Sequence, residues 1–266
     1  MSAGSVTIVL PAFNEEARLE SALDELFGYL RRRGEQARDG APGAGHLPEI
    51  VRVLVVDDGS TDRTTDIVRA RPETANADGG GHGSLALLSV PHGGKGAAVR
   101  AGMLAADSDL IVFADADMAT PPDQLPLLVE ALVDNDVALG SRIQPDGSDM
   151  RGSQPLYRRL LGRAFHAFAS VWVVGSVKDT QCGFKGFSRD AAHRLFAAQR
   201  ITSIVFDVEL IYLARRNGLR IAVVPIRWYD RRGSRMRASP GLAARVAWDL
   251  LRIPLLHRGS TRSARA

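Results

Sequence analysis

The sequence predicts an α/β protein with a mostly parallel central sheet flanked by helices. Apolar, β-branched runs alternate with amphipathic helical patterns through the first 140 or so residues, the rhythm of a parallel layer. Several of these runs stop at Pro, Asp or Gly, which marks strand ends opening into polar loops. A chain of 266 residues that is 45% apolar can bury a substantial core as one large domain or two small ones.

In order, Val6 to Leu10 reads as a buried strand stopped by Pro11. Asn14 is a candidate cap for a helix that places Leu19, Leu23, Leu26 and Leu30 on one face. Residues 34–48 read as a loop, Val51 to Val56 as the second strand, and a second helix is expected from about Thr61. A Gly-rich loop over 72–83 precedes a strand at Leu85 to Val90, and a helix follows from Gly94 to about Ala106. Leu110 to Ala114 is the fourth strand; Pro121 and Pro122 open a helix to about Val133, and Val137 to Leu139 is the fifth strand.

After Ser141 the rhythm changes. A polar loop over 142–153 leads into a helical pattern from Leu156 to about Val174. A short strand is expected at Phe184 to Phe187 and a helix at Asp207 to Asn217 with Gly218 as its stop. A strand is expected at Ile221 to Trp228, and a last helix from about Leu242. The organisation expected is one domain over 1–266: a ligand-binding half at 5–141, a second half at 142–258, and a flexible tail at 259–266.

The 34 Lys and Arg exceed the 30 Asp and Glu by only four, so the placement of charge matters more than its total. Arginines crowd the last forty residues, which suits an anionic surface. Cys182 is the single cysteine, which excludes an internal disulfide and favours a reducing compartment. The six histidines show no metal-ligand spacing. No leader pattern opens the chain, and no apolar run reaches the roughly 20 residues needed to span a bilayer. The expected location is cytoplasmic.

In open α/β sheets, ligands bind beyond the carboxyl ends of the strands. Asp115-Ala-Asp117 leaves an apolar strand at such an end. Hard divalent cations such as Mg2+ or Mn2+ prefer oxygen ligands of this kind and commonly share a diphosphate with the protein. Asp57-Asp-Gly-Ser60 offers acceptors to a base or ribose, or else makes an ordinary turn. His92-Gly-Gly-Lys-Gly96 brings backbone N–H groups and one cation toward phosphate. It is not a dinucleotide fingerprint, because Val99 stands at the third glycine position, and it lacks the P-loop pattern.

Pro11-Ala-Phe-Asn-Glu15, Asp57-Asp-Gly-Ser-Thr-Asp62, Gly94-Lys-Gly96 and Asp115-Ala-Asp117, in this order, resemble the family-2 inverting glycosyltransferases of GT-A type. In the second half, Gly140-Ser-Arg142, Asp179-Thr-Gln-Cys-Gly-Phe-Lys185, Phe206-Asp-Val-Glu-Leu210 and Trp228 with Gly233-Ser234 are similar to the dolichyl-phosphate β-glucosyltransferases. The related mannosyltransferases usually carry Gln where Ala119 stands. The resemblance therefore implies UDP-glucose as donor, with GDP-mannose as the alternative. This chain departs from the pattern at Met118, where Gly is usual, at Arg235, where Lys is common, and in showing no membrane-spanning segment.

The resemblance implies a GT-A-like nucleotide-diphospho-sugar transferase fold and a role for each matching position. Pro11, Ala12, Asn14 and Glu15 would border the nucleoside, Asp57 the base, and Lys95 the nucleotide. Asp115 would contact the ribose or the metal, and Asp117 would hold Mg2+ or Mn2+. Arg142, Arg231 and Arg235 would meet the acceptor or donor phosphates, and Asp179 and Glu209 would lie near the sugar and acceptor. The implied partners are a nucleotide-diphospho-sugar, a polyprenyl phosphate and a membrane surface at its cytoplasmic face, not nucleic acid. A non-catalytic nucleotide-sugar-binding regulator is the alternative of another class.

Overall fold

The structure is a computed structural model, and it describes residues 4–38, 47–75, 83–150, 177, 179–231 and 240–258. Seven strands form one sheet: β1 (Ser5–Ala12), β2 (Ile50–Asp57), β3 (Ser84–Ser89), β4 (Leu110–Ala114), β5 (Val137–Ser141), β6 (Phe184–Ser188) and β7 (Ile221–Pro225). Their order is β3-β2-β1-β4-β6-β5-β7. β6 runs antiparallel to both β4 and β5; the other pairs are parallel.

The strands are apolar on both faces because helices cover both. The helices are α1 (Leu19–Arg38), α2 (Thr64–Arg69), α3 (Lys95–Ala105), α4 (Leu125–Asp134), α5 (Arg189–Ala198), α6 (Phe206–Arg216) and α7 (Pro240–Leu256). Val9, Ile111, Phe113 and Phe187 point to one side and pack with Val99, Met103, Phe196, Phe206 and Leu210 of α3, α5 and α6. Their strand neighbours Ile8, Leu10, Val112 and Phe184 point to the other and pack with Leu19, Leu23 and Phe27 of α1 and Leu125 and Leu128 of α4. α3 lies so close to the sheet that a Cβ on Gly102 would collide with Val9 and Val56.

The chain reverses its direction of travel across the sheet between β1 and β4. β1 leads outward to β2 and β3, whereas β4 leads the other way. Register sets Ala12 beside Asp57 and Asp57 beside Ser89, so these strand ends are level. This switch point is where an α/β sheet leaves a crevice.

Several sequence expectations shift. α1 begins at Leu19, and Asn14 does not cap it: its backbone is left-handed, with φ 51°. α1 also continues to Arg38, into the stretch expected as loop. A short 3-10 turn, Pro72–Ala75, stands in the second expected loop. Pro122–Gln124 forms another before α4. β7 stops at Pro225 rather than reaching Trp228. α5 was not anticipated; Ser188 caps it, its Oγ accepting from Ala191 N at 3.3 Å. The expected helix over 156–174 and the tail at 259–266 lie outside the described residues.

Candidate active site

A cleft of about 290 Å³ opens at the switch point, lined by the ends of β1 and β4, the loop after β3 and the start of α3. Pro11, Ala12 and Glu15 line it, with Lys95, Asp115 and Asp117. Asp58 and His92, from the two motifs singled out in the sequence, also line it, as do Phe13 and Arg18, for which no individual role was anticipated. Phe13 and His92 stack at 4.3 Å between ring centroids.

Each wall is fastened to the next. Asn14 N donates to Ser60 Oγ at 2.8 Å, and Asn14 Oδ1 accepts from Thr61 N at 2.8 Å. Asn14 thus ties the end of β1 to the loop after β2. Asp57 is buried and accepts from Ser60 N at 3.0 Å, and it is not among the residues lining the cleft. Its neighbour Asp58 takes the wall position, accepting from Gly93 N at 2.8 Å and Gly94 N at 2.9 Å. The pair of aspartates was legible, but which one faces the cleft depends on the twist of the strand end.

At the acidic end, Lys95 Nζ lies 2.5 Å from Asp115 Oδ1. Burial opposes the ammonium charge, but Asp115 and, further back, Asp207 outweigh it and hold the Lys95 pKa above the ordinary lysine value. Burial and then the Asp115 charge push the Asp117 carboxyl above the ordinary carboxylate range, against the Ala119 N–H, Arg18 and Lys95. Met118 between this motif and Ala119 has φ 49°, a left-handed conformation that glycine adopts freely. That explains why glycine is usual there; here the Met118 side chain is buried in the core beneath the turn, which offsets the backbone cost.

Two carboxylates facing a cleft suit a divalent cation that draws its remaining oxygens from a diphosphate and water. Among the described residues no group of three His, Cys, Asp or Glu side chains could cage a metal by itself. The donor set fits a shared cation and does not fit a structural one.

The second half approaches from β5 and β6. The Asp179 carboxylate accepts from Arg142 Nε at 2.8 Å, Nη2 at 2.6 Å and backbone N at 2.9 Å. Burial works against the Arg142 charge, yet Asp179 more than offsets this and raises the guanidinium pKa further. Asp179 is therefore an anchor for Arg142, not a free base. Arg231 is half-exposed and bridges Glu25 at 2.9 Å to the carbonyl of Met118 at 3.3 Å, beside the Asp115–Asp117 turn. Gly183 backs directly on Asp115; a Cβ there would overlap its carboxylate.

Glu209 does not reach the cleft and is corrected to a structural residue. It is fully buried and accepts from Arg200 N at 2.9 Å and Ile201 N at 2.8 Å, while His257 lies 2.7 Å away. Both oxygens are occupied by a loop and by the end of α7, so the side chain is turned into the interior. Arg235 lies outside the described residues.

A doubly wound sheet with an acidic, cation-edged cleft at its switch point is the architecture of an α/β protein that binds a phosphorylated ligand there. The model of glycosyl transferase family 2 matches residues 7–196. A dolichyl-phosphate beta-glucosyltransferase of Trichomonas vaginalis is 35% identical over 260 residues, covering 95% of this chain and 71% of the relative. The enzymes of that name from Drosophila melanogaster and Homo sapiens are 35% and 33% identical, each covering 87% of this chain and 69% of the relative. Among solved structures, glucosyl-3-phosphoglycerate synthase from Mycobacterium tuberculosis with Mn2+ and UDP-glucose shares the fold, with TM-score 0.59 and 22% identity over 95% of this chain and 78% of that one. The chain belongs to glycosyl transferase family 2 and is a glycosyltransferase related to the dolichyl-phosphate β-glucosyltransferases.

Proposed function

We propose that the protein transfers glucose from UDP-glucose to the phosphate of a polyprenyl lipid, with inversion, giving a β-linked polyprenyl-phosphate glucose. The observation that carries this reading is the cleft itself, where Asp115 and Asp117 face Lys95 and Arg18 at the strand ends. The names of the relatives supply the donor and acceptor classes.

An acceptor phosphate is already ionised at neutral pH, so it needs alignment more than deprotonation. The engagement of Asp179 with Arg142 agrees with this, since no unpaired base is required. Lys95 puts positive charge where the departing diphosphate gathers negative charge. Asp117, with Asp115, would hold a Mg2+ or Mn2+ ion that supplies Lewis-acid stabilisation of that leaving group. Arg231, whose guanidinium reaches the carbonyl of Met118 beside Asp117, is the candidate to meet a second phosphate.

No helix among the described residues is long and apolar enough to cross a membrane. On α7, Leu250 and Ile253 are buried, whereas Trp248 is 63% exposed and Leu251, Leu255 and Leu256 stand outward with Arg245 and Arg258 nearby. Such a face suits shallow insertion at an anionic interface, and the proposed location is peripheral at the cytoplasmic face of a membrane.

The test is incubation with labelled UDP-glucose or GDP-mannose and a polyprenyl phosphate in vesicles, with and without Mn2+. Metal-dependent transfer from UDP-glucose is expected. Transfer from GDP-mannose alone would reassign the donor, and no transfer from either would leave a nucleotide-sugar-binding regulator. Flotation with the vesicles is expected, and recovery wholly in the soluble fraction would overturn the peripheral location.

A further inference from the structure

Arg18 stands at the turn that leads into α1, where its N–H and that of Leu19 both donate to the Glu15 carbonyl at 2.9 Å. Its guanidinium is pinned along one edge: Nε donates to Glu15 Oε2 and Nη2 to Glu15 Oε1, both at 2.8 Å. The other edge is not satisfied. Nη1 is shielded from solvent and has no hydrogen-bond partner. The nearest opposite charge is Asp117 Oδ2 at 3.8 Å, beyond hydrogen-bond reach. Arg18, Glu15, Lys95, Asp115 and Asp117 all line the same cleft.

A buried guanidinium N–H without an acceptor is unfavourable, and such groups are rare unless a ligand completes them. Here the atom belongs to a side chain that lines the cleft, beside a carboxylate suited to a cation and on the same cleft as a lysine. The acceptor that fits this position is itself anionic and reaches past Asp117. A tetrahedral phosphate oxygen fits both the charge and the planar edge of arginine. Glu15, expected to border the nucleoside, also holds Arg18 along one edge and leaves the second edge without a hydrogen bond.

We propose that Arg18 is a binding residue for the diphosphate of the nucleotide donor, held in place for that contact by Glu15. This rests on the donor reading given above. The arginine adds a fixed, preorganised cation on the β1 side of the diphosphate, opposite Lys95 on the α3 side. The geometry gives Glu15 a positioning role rather than a contact with the base.

Calorimetric titration in Mn2+ with UDP and uridine, and with GDP and guanosine, tests this on wild type and Arg18→Met. The expected result is a loss of about 10-fold to 100-fold in diphosphate affinity with nucleoside affinity unchanged, the effect of removing one charge-assisted contact. Glu15→Gln should give a smaller loss in the same direction. Unchanged diphosphate affinity in Arg18→Met, or an equal loss for nucleoside and diphosphate, would overturn the proposal, because a merely structural arginine would not discriminate between them. Wild type binding neither diphosphate would instead sink the donor reading. Should Arg18→Met fail to fold, Arg18→Lys keeps the charge without the second edge and carries the same comparison with a smaller expected loss.

Discussion

Lys185 and Asp207 form a buried ion pair, and they give a sharp test of how the second half is held. Lys185 is fully buried in the middle strand of the antiparallel insertion, and its Nζ lies 2.6 Å from Asp207 Oδ1 and 2.5 Å from the Cys182 carbonyl. The ammonium also sits over the Phe113 ring at 5.3 Å. Burial pushes the Asp207 carboxyl above its ordinary range, against the pull of Lys185 and then Lys95, so Lys185 is the chief partner that favours its charge. Removing one partner strands the other, a loss of about 3–5 kcal/mol, whereas replacing both with apolar groups is often close to neutral. Lys185→Met and Asp207→Leu should therefore each lower the melting temperature by roughly 6–20 °C for a domain of this size. The double variant should recover most of that loss. Urea unfolding of the four proteins measures the coupling directly. The reasoning is refuted if either single variant lies within about 1 kcal/mol of wild type, or if the double variant is no more stable than the singles.

Three further outcomes follow from the site. Asp117→Asn keeps the shape of the side chain but removes its charge; turnover should fall by about 10²-fold to 10³-fold while the melting temperature holds, and unchanged turnover would remove the metal role. Gly183→Ala places a methyl group against the Asp115 carboxylate, so Asp115 must move; a loss of about 10²-fold in turnover with weaker Mn2+ activation is expected, and wild-type kinetics would show that the close approach is not needed. The Cys182 thiol is pushed up to about 12 by burial first and by Asp179 next, against Arg142 and Lys185. The native protein should thus resist a thiol reagent at pH 8 and react at once in denaturant; rapid native labelling would contradict the burial. Because that folded pKa lies above the unfolded one, its contribution to stability is complete at neutral pH and is lost as pH rises toward about 12.

Strand existence, helix existence and the polar strand ends were legible because each is local: apolar runs of fixed period, stopped by residues that suit turns. Asp115 and Asp117 were found this way, and so was the Gly-Lys-Gly loop. The sequence could not show that Asp58 rather than Asp57 faces the cleft, since the choice depends on how one strand end twists against its neighbour. It could not show that Glu209 turns inward, because its partners Arg200, Ile201 and His257 come from a loop and from the end of α7. Nor could it give the antiparallel direction of β6, which is set by pairing with β4 and β5 across long stretches of chain. The order of residues determined where chemistry could sit, at the polar ends of buried strands. Tertiary structure decided which charged groups meet there, because a charge leaves water only where a partner distant in sequence is brought within reach, as with Arg142 and Asp179 or Lys185 and Asp207.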